Sequence, residues 1–245
     1  MTLSTRFHIS KFFTKWEIKS LVKDINDMVD DATTDFDWID GKVSLIAPPE
    51  SNRDKSKIKR NYQLPENVEL NNTRIWPAID GNKEFVRFTY PKKSTSPLIT
   101  KTPTGGFYKP HFDMVDNGHF STTIFMNDPS EYDGGELIFW LDGKEVQFKL
   151  EAGWGITYET GIGHRVNEVT RGDRLAMVFW TTSYIHNLGD LREWNYWGEL
   201  ADKHDEPICD KLDEYVYDPH VLFRQKRYNI MRKYMHLIPE NQVIA

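Results

Sequence analysis

Eight histidines are scattered along the 245 residues, and a histidine taken alone is more often a surface or structural residue than a ligand. The first departure from that background is His111-Phe112-Asp113. Alternate residues of a strand project to one face, so if residues 109–114 are extended, His111 and Asp113 point the same way and Phe112 the other. A lone His-x-Asp is common by chance, and His164 is what raises its weight. It follows the turn Gly161-Ile162-Gly163 and precedes an expected strand from Val166 to Val169. A strand returning antiparallel there brings a second imidazole beside the first pair. Two histidines and one carboxylate on one face of a metal, with the opposite positions free, is the arrangement used by non-haem iron(II) oxygenases. Zinc stays open, because two histidines and an acidic residue also serve zinc hydrolases.

Arg174 lies ten residues beyond His164, in Thr170-Arg171-Gly172-Asp173-Arg174. A dicarboxylate such as 2-oxoglutarate needs its distal carboxylate held by a fixed cation, and a guanidinium offers a planar bidentate fork for it. Arg174 leads straight into the apolar run 175–180, which makes it a candidate for the inside of a barrel; Arg171 is its competitor.

The elements that must position these groups are mostly β. Between about 84 and 182 short apolar or alternating runs are separated by turn residues, the pattern of antiparallel structure. The runs are Phe85 to Tyr90, Thr122 to Met126, Glu136 to Trp140, Val146 to Phe148 and Leu175 to Trp180; Asn127-Asp128-Pro129, Asp133-Gly134-Gly135, Asp142-Gly143 and Gly153-Trp154-Gly155 punctuate them. This spacing predicts a sandwich, barrel or jelly roll. Helices flank it. Thr14 and Glu17 form a capping-box signature, Phe13 and Ile18 a hydrophobic staple, and Trp16, Leu21, Val22, Ile25, Met28 and Val29 recur at helical intervals up to Asp30-Asp31. Asp218-Pro219 reads as an N-cap with proline at the first helical position, opening a helix to about Met235. Residues 49–66, from Pro48-Pro49 to Pro65, read as a long polar loop carrying Arg53, Lys55, Lys57, Lys59 and Arg60, either solvated charge or a lid. The expectation is one α+β domain, mainly β, with N-terminal support over 1–83, a core over 84–187 and a helical extension over 188–245.

With 39% hydrophobic and 13% aromatic residues the chain falls outside the disordered class. A net charge of -6 provides no global basic field, so nucleic acid is not an expected partner. The single cysteine, Cys209, rules out an internal disulfide framework and fits a reducing compartment, as an inert thiol. No apolar stretch approaches the ~20 residues of a membrane span, and residues 1–13 lack the features of a signal peptide, so a soluble cytoplasmic protein without a membrane partner is expected.

Longer stretches carry a resemblance. Tyr108-Lys109-Pro110-His111-Phe112-Asp113, Tyr132-Asp133-Gly134-Gly135-Glu136-Leu137, His164-Arg165-Val166 and Val169-Thr170-Arg171-Gly172-Asp173-Arg174 resemble prolyl 4-hydroxylase-type dioxygenases, most closely their bacterial PKHD-type hydroxylase branch. Trp38-Ile39-Asp40-Gly41-Lys42-Val43, Asn127-Asp128-Pro129 and Thr181-Thr182-Ser183-Tyr184-Ile185 extend the match, which spans roughly residues 36–187. The resemblance implies a double-stranded β-helix, or jelly roll, with iron(II) held by His111, Asp113 and His164 and 2-oxoglutarate by Arg174. It places Tyr108 and Trp180 among the aromatic residues lining the pocket. It further implies consumption of dioxygen, release of succinate and carbon dioxide, and hydroxylation of an unactivated C–H bond, with ascorbate as a candidate reductant. Asp113 argues against a halogenase, which needs that coordination position for halide. One position departs from the family pattern: a tyrosine often stands nine residues before the first metal histidine, and here it is Thr102. Either the pocket is rearranged, or Thr123 or Tyr108 supplies the missing hydrogen bond to the co-substrate.

The primary substrate implied by the resemblance is a prolyl residue within a peptide or protein, and the basic residues of 51–63 would favour an acidic segment. A free amino acid or small metabolite is the alternative. Two other functions stay open: a catalytically silent jelly roll that binds a peptide or sugar, and a metal-dependent hydrolase, which would leave Arg174 without a role.

Overall fold

Alternation along two packed sheets decides which side chains reach the interior, and in the computed structural model that interior is the candidate site. Residues 6–45, 54–141, 143–203 and 219–237 are described. The larger sheet has the order β1 (Phe7–Lys11), β12 (Trp154–Glu159), β8 (Phe120–Phe125), β15 (Arg174–Ser183), β6 (Leu98–Thr102), β4 (Tyr62–Gln63) and β2 (Ile39–Asp40), with β5 (Pro91–Ser94) on the far end of β15. The smaller sheet has the order β11 (Lys144–Phe148), β10 (Leu137–Leu141), β13 (His164–Val166), β7 (Phe107–His111) and β3 (Lys59–Arg60). A separate pair joins β14 (Val169–Arg171) to β9 (Asp133–Gly134). All pairings are antiparallel. The result is the jelly roll expected, mainly β with flanking helices.

The larger sheet is covered on both faces, which is why β8 is buried along its whole length. On its outer face lie α1 (Lys15–Asp30), α2 (Val68–Leu70), a π-helical turn over Asn71–Ile75, α3 (Trp76–Asp80) and α4 (Lys83–Thr89). Ile18, Leu21 and Ile25 of α1 and Phe85 of α4 pack there with Ile99, Ile124, Met177 and Phe179. Its inner face shares a second core with the smaller sheet, in which Phe125, Ile156 and Tyr158 meet Leu137, Phe139 and Phe148. A third core joins Tyr90, Phe120 and Ile185 to α5 (Leu188–Lys203) and α6 (Pro219–Tyr234).

The capping box is present, with Thr14 Oγ1 accepting from Glu17 N–H and Glu17 from Thr14 N–H, and Phe13 and Ile18 share a core. Trp16, assigned from sequence to the apolar face, is 77% exposed instead: it lies at the start of the helix, to one side of the Ile18-Leu21-Ile25 stripe. Phe85 to Tyr90 is a helix rather than a strand. Asn82 caps it by accepting from Phe85 N–H at 2.9 Å, Phe85 and Thr89 are buried one turn apart, and Tyr90 ends it in the left-handed region at φ 44°. A six-residue apolar run fits either period, and here the cap decided. The expected strand Val166 to Val169 is divided between β13 and β14, and the extension expected over 109–114 stops as a strand at His111. The polar segment is not simply a loop: Lys59–Arg60 and Tyr62–Gln63 form β3 and β4 and add a strand to each sheet, pairing with β7 and β6. Pro48-Pro49, Arg53, Asp142, Cys209 and Asp218 lie outside the described residues. No helix among the described residues is long and apolar enough to cross a membrane.

Candidate metal centre and active-site cavity

The smaller sheet brings the two histidines together by register. His111 of β7 stands directly opposite His164 of β13, and their ring centroids are 4.2 Å apart. The next pair is Tyr108 with Val166, so three steps along β7 match two along β13. Strict alternation would send Tyr108 and His111 to opposite faces; this irregularity puts them on the same one, with rings stacked at 3.5 Å. Asp113 follows two residues after the strand. Its Oδ1 is 3.8 Å from His111 Nε2 and its Oδ2 3.8 Å from His164 Nε2, and the three candidate ligand atoms lie within 4.8 Å of one another.

Each imidazole is oriented by its own chain. His111 Nδ1 donates to the Lys109 carbonyl at 2.8 Å and His164 Nδ1 to the Ile162 carbonyl at 2.9 Å. A carbonyl can only accept, so both rings carry the Nδ1 proton and direct the Nε2 lone pair at Asp113. Burial, reinforced by His164, pushes the His111 pKa down to about 4, against the Lys109 carbonyl and Asp113, so the ring is neutral at physiological pH. Ser121 of β8 donates to Asp113 Oδ2 at 2.7 Å and fixes the carboxylate. Two imidazoles and one carboxylate converging in this way fit iron(II) by donor chemistry.

The larger sheet supplies the facing wall of a cavity of about 360 Å³. Along β15, Met177 and Phe179 face the helices, while Arg174, Val178 and Trp180 line the cavity. Thr102 of β6, opposite Arg174 in the register, and Thr123 of β8 line it too. Arg174 is only 3% exposed and its guanidinium lies 5.2 Å from the Phe125 ring. Its Nε and Nη2 have no hydrogen-bond partner among the described residues. Burial pushes the guanidinium pKa down, with neighbouring Tyr132 and Tyr158 opposing. A buried cation with open donors is costly until an anion arrives, and a carboxylate is the natural complement of that fork. Gly135 makes room for it: at φ 67°, a Cβ there would stand 3.0 Å from Arg174 Cδ. Arg171, by contrast, is an exposed partner of Asp133 and the Ser130 carbonyl.

Tyr108, Thr123 and Trp180 therefore all line the same cavity as the triad and Arg174. Four residues not singled out for the site in the sequence lie in or against it: Tyr158 and Lys59 line the cavity, Ser121 holds Asp113, and Tyr132 neighbours Arg174. Tyr158 is wholly buried, with its hydroxyl 3.5 Å from Asp113 Oδ2 and 3.4 Å from His164 Nε2; burial, then Asp113, raises its pKa so that the phenol keeps its proton. Nothing in the strand around it separates a site tyrosine from a core tyrosine. Ser121 left a signal: Ser121-Thr122-Thr123 is a run of hydroxyls in an apolar strand, and each buried hydroxyl needs a partner. The others are Tyr132, beside Arg174, and Lys59, buried in β3.

A jelly roll with this triad and a buried arginine in one cavity defines the 2OG-Fe(II) oxygenase class, and the model of the 2OG-Fe(II) oxygenase superfamily matches residues 98–182. A PKHD-type hydroxylase of Gluconacetobacter diazotrophicus is 33% identical over 162 residues, 61% of this chain and 69% of the relative. One of Sphingopyxis alaskensis is 31% identical over 173 residues, covering 66% and 74%. The chain belongs to the PKHD-type hydroxylase family and is a hydroxylase of this superfamily. It spans 62% of the length of a PKHD-type hydroxylase of Colwellia psychrerythraea and 74% of that of the Sphingopyxis alaskensis relative. Among solved structures, a Pseudomonas putida prolyl-4-hydroxylase shares the fold at TM-score 0.51 and 20% identity, covering 72% of this chain and 92% of that one. A Trichoplax adhaerens prolyl hydroxylase, solved with a hypoxia inducible factor peptide fragment, does so at TM-score 0.55 and 13% identity, covering 76% and 87%. The family implies iron(II), 2-oxoglutarate and dioxygen.

Proposed function

We propose that His111, Asp113 and His164 hold the iron, that Arg174 holds the distal carboxylate of 2-oxoglutarate, and that the protein hydroxylates a prolyl residue of a peptide or protein, releasing succinate and carbon dioxide. The observation that carries this is the coexistence, in one cavity, of three convergent ligand atoms within 4.8 Å of one another and a buried guanidinium whose Nε and Nη2 have no hydrogen-bond partner among the described residues. When bound, the iron and 2-oxoglutarate activate dioxygen for C–H hydroxylation. The protein's part is geometry: Ser121 fixes Asp113, the Lys109 and Ile162 carbonyls fix the imidazoles, and Val178 and Trp180 exclude water. Thr102 is too short to replace a tyrosine, and the phenol on this wall comes from β12, as Tyr158; Thr123 and Tyr108 add hydroxyls beside the co-substrate. A prolyl substrate is supported by the apolar rim beside the metal centre, where Phe112 is 71% and Met114 42% exposed, and by the named substrate of proteins that share the fold. The single cysteine fits a reducing compartment such as the cytoplasm, where iron stays ferrous, with ascorbate serving as reductant in vitro. The test is succinate formation from 2-oxoglutarate with iron(II) and ascorbate, with and without proline-containing peptides. Succinate that rises with peptide supports the proposal. Bound iron without any succinate would leave a silent binding protein instead.

A further inference from the structure

The cavity contains a second buried cation, for which the triad and the co-substrate leave no role. Lys59 is 4% exposed and lines the cavity together with Tyr108 and His111. Register explains how it gets there: Lys59 pairs with Tyr108 across β3 and β7, so both side chains lie on the cavity face, and Nζ stands 4.8 Å from the Tyr108 ring centroid. Its one hydrogen bond among the described residues is to Ser44 Oγ, at 2.8 Å. That hydroxyl spends its own proton on the Gly41 carbonyl, so it can only accept from the ammonium. Neither nearby carboxylate pairs with Lys59. Asp40 is engaged by Lys42 at 2.8 Å, and Asp113 is taken by Ser121 and faces the histidines. Burial lowers the Lys59 pKa to about 8, with Asp113 and Asp40 opposing, which leaves the group mostly cationic at neutral pH.

A buried ammonium with one neutral partner is costly unless an anion completes it. In the function proposed above 2-oxoglutarate would not supply that anion, since Arg174 would take one of its carboxylates and the iron held by His111, Asp113 and His164 the other. The two cations also differ in access. Arg174 lies at the closed inner wall, whereas Lys59 touches Ser44, which is exposed to solvent at the cavity's edge, and half-buried Lys55 lines the same edge. Resting on the function proposed above, we propose that Lys59 is the anchor for a carboxylate of the primary substrate. That carboxylate is either an Asp or Glu side chain flanking the hydroxylated residue in a peptide or the main-chain carboxylate of a free amino acid.

The experiment uses the full chain loaded with manganese(II) and saturated with 2-oxoglutarate, and reads binding by calorimetry. The probes are blocked pentapeptides with a central proline preceded by Glu or by Gln, and free proline against prolinamide. In the wild type the anionic member of one pair binds about ten- to a hundredfold tighter, the range of a charge-assisted hydrogen bond. Which pair shows the preference distinguishes peptide from free amino acid. Lys59→Met, which keeps the buried stem, abolishes the preference without changing 2-oxoglutarate affinity, and Lys59→Arg retains it. Unchanged manganese and 2-oxoglutarate binding also shows that the variants are folded. No preference in either pair, a preference that survives Lys59→Met, or lost 2-oxoglutarate affinity in Lys59→Met overturns the inference. Failure of the underlying reading has a different signature, the absence of 2-oxoglutarate binding to the wild type itself.

Discussion

The two walls of the cavity are built on opposite principles. On the smaller sheet the three candidate metal ligands are engaged before any ligand arrives: His111 and His164 donate to carbonyls two residues back, and Asp113 accepts from Ser121. On the larger sheet Arg174 Nε and Nη2 and Trp180 Nε1 are buried with no partner among the described residues. In the proposed function the first wall is a preorganised ligand set, its side chains already oriented for a metal. The second carries a desolvated charge that only an occupant relieves. Metal affinity and co-substrate affinity should therefore respond to different residues.

The largest effects are expected at the first wall. His111→Ala, Asp113→Ala and His164→Ala each abolish iron binding and succinate formation while the jelly roll remains folded, as judged by metal titration, turnover and circular dichroism. Wild-type iron affinity in either histidine variant would remove the triad from the account. Next in size is Arg174→Met. Truncating one partner of a buried charge pair costs about 2–5 kcal/mol, so the 2-oxoglutarate requirement rises at least about thirtyfold while metal affinity holds. The same variant sharpens the comparison in another way: without ligands its Tm should equal or exceed the wild type's, because an unpaired buried charge has been removed. Arg171→Ala, on the surface, leaves both affinities unchanged.

Smaller effects separate the supports. Ser121→Ala releases Asp113 and lowers metal affinity about tenfold, the lower range for a partner that orients a ligand, with 2-oxoglutarate binding to residual holoenzyme intact. Gly135→Ala does the reverse. Its φ of 67° and the 3.0 Å approach to Arg174 Cδ mean that the methyl displaces the guanidinium, so co-substrate binding weakens and stability falls by about 1 kcal/mol, while metal titrates as in the wild type. A metal defect in Gly135→Ala would show that the walls are not independent.

The same division explains what could be read from the sequence. The triad was legible because its orientation is local: His-x-Asp and a histidine after a glycine turn carry their own backbone partners. Arg174 was legible from its place at the head of an apolar run. Lys59 and Tyr158 were not, because only strand register brings them to the cavity; Lys59 looked like one charge among five in a polar loop until β3 paired with β7. Phe85 to Tyr90 misled for a related reason: its composition suits a strand, and the Asn82 cap and helical packing on Phe179 outweighed it.

The most direct test of the central claim is equilibrium dialysis of manganese(II) and 2-oxoglutarate together, on the wild type, His164→Ala and Arg174→Met. The account predicts that the wild type binds both, that His164→Ala loses manganese, and that Arg174→Met keeps a full equivalent of manganese while its 2-oxoglutarate affinity drops at least about thirtyfold. Arg174→Met that binds 2-oxoglutarate as the wild type does, or that loses manganese, would contradict it.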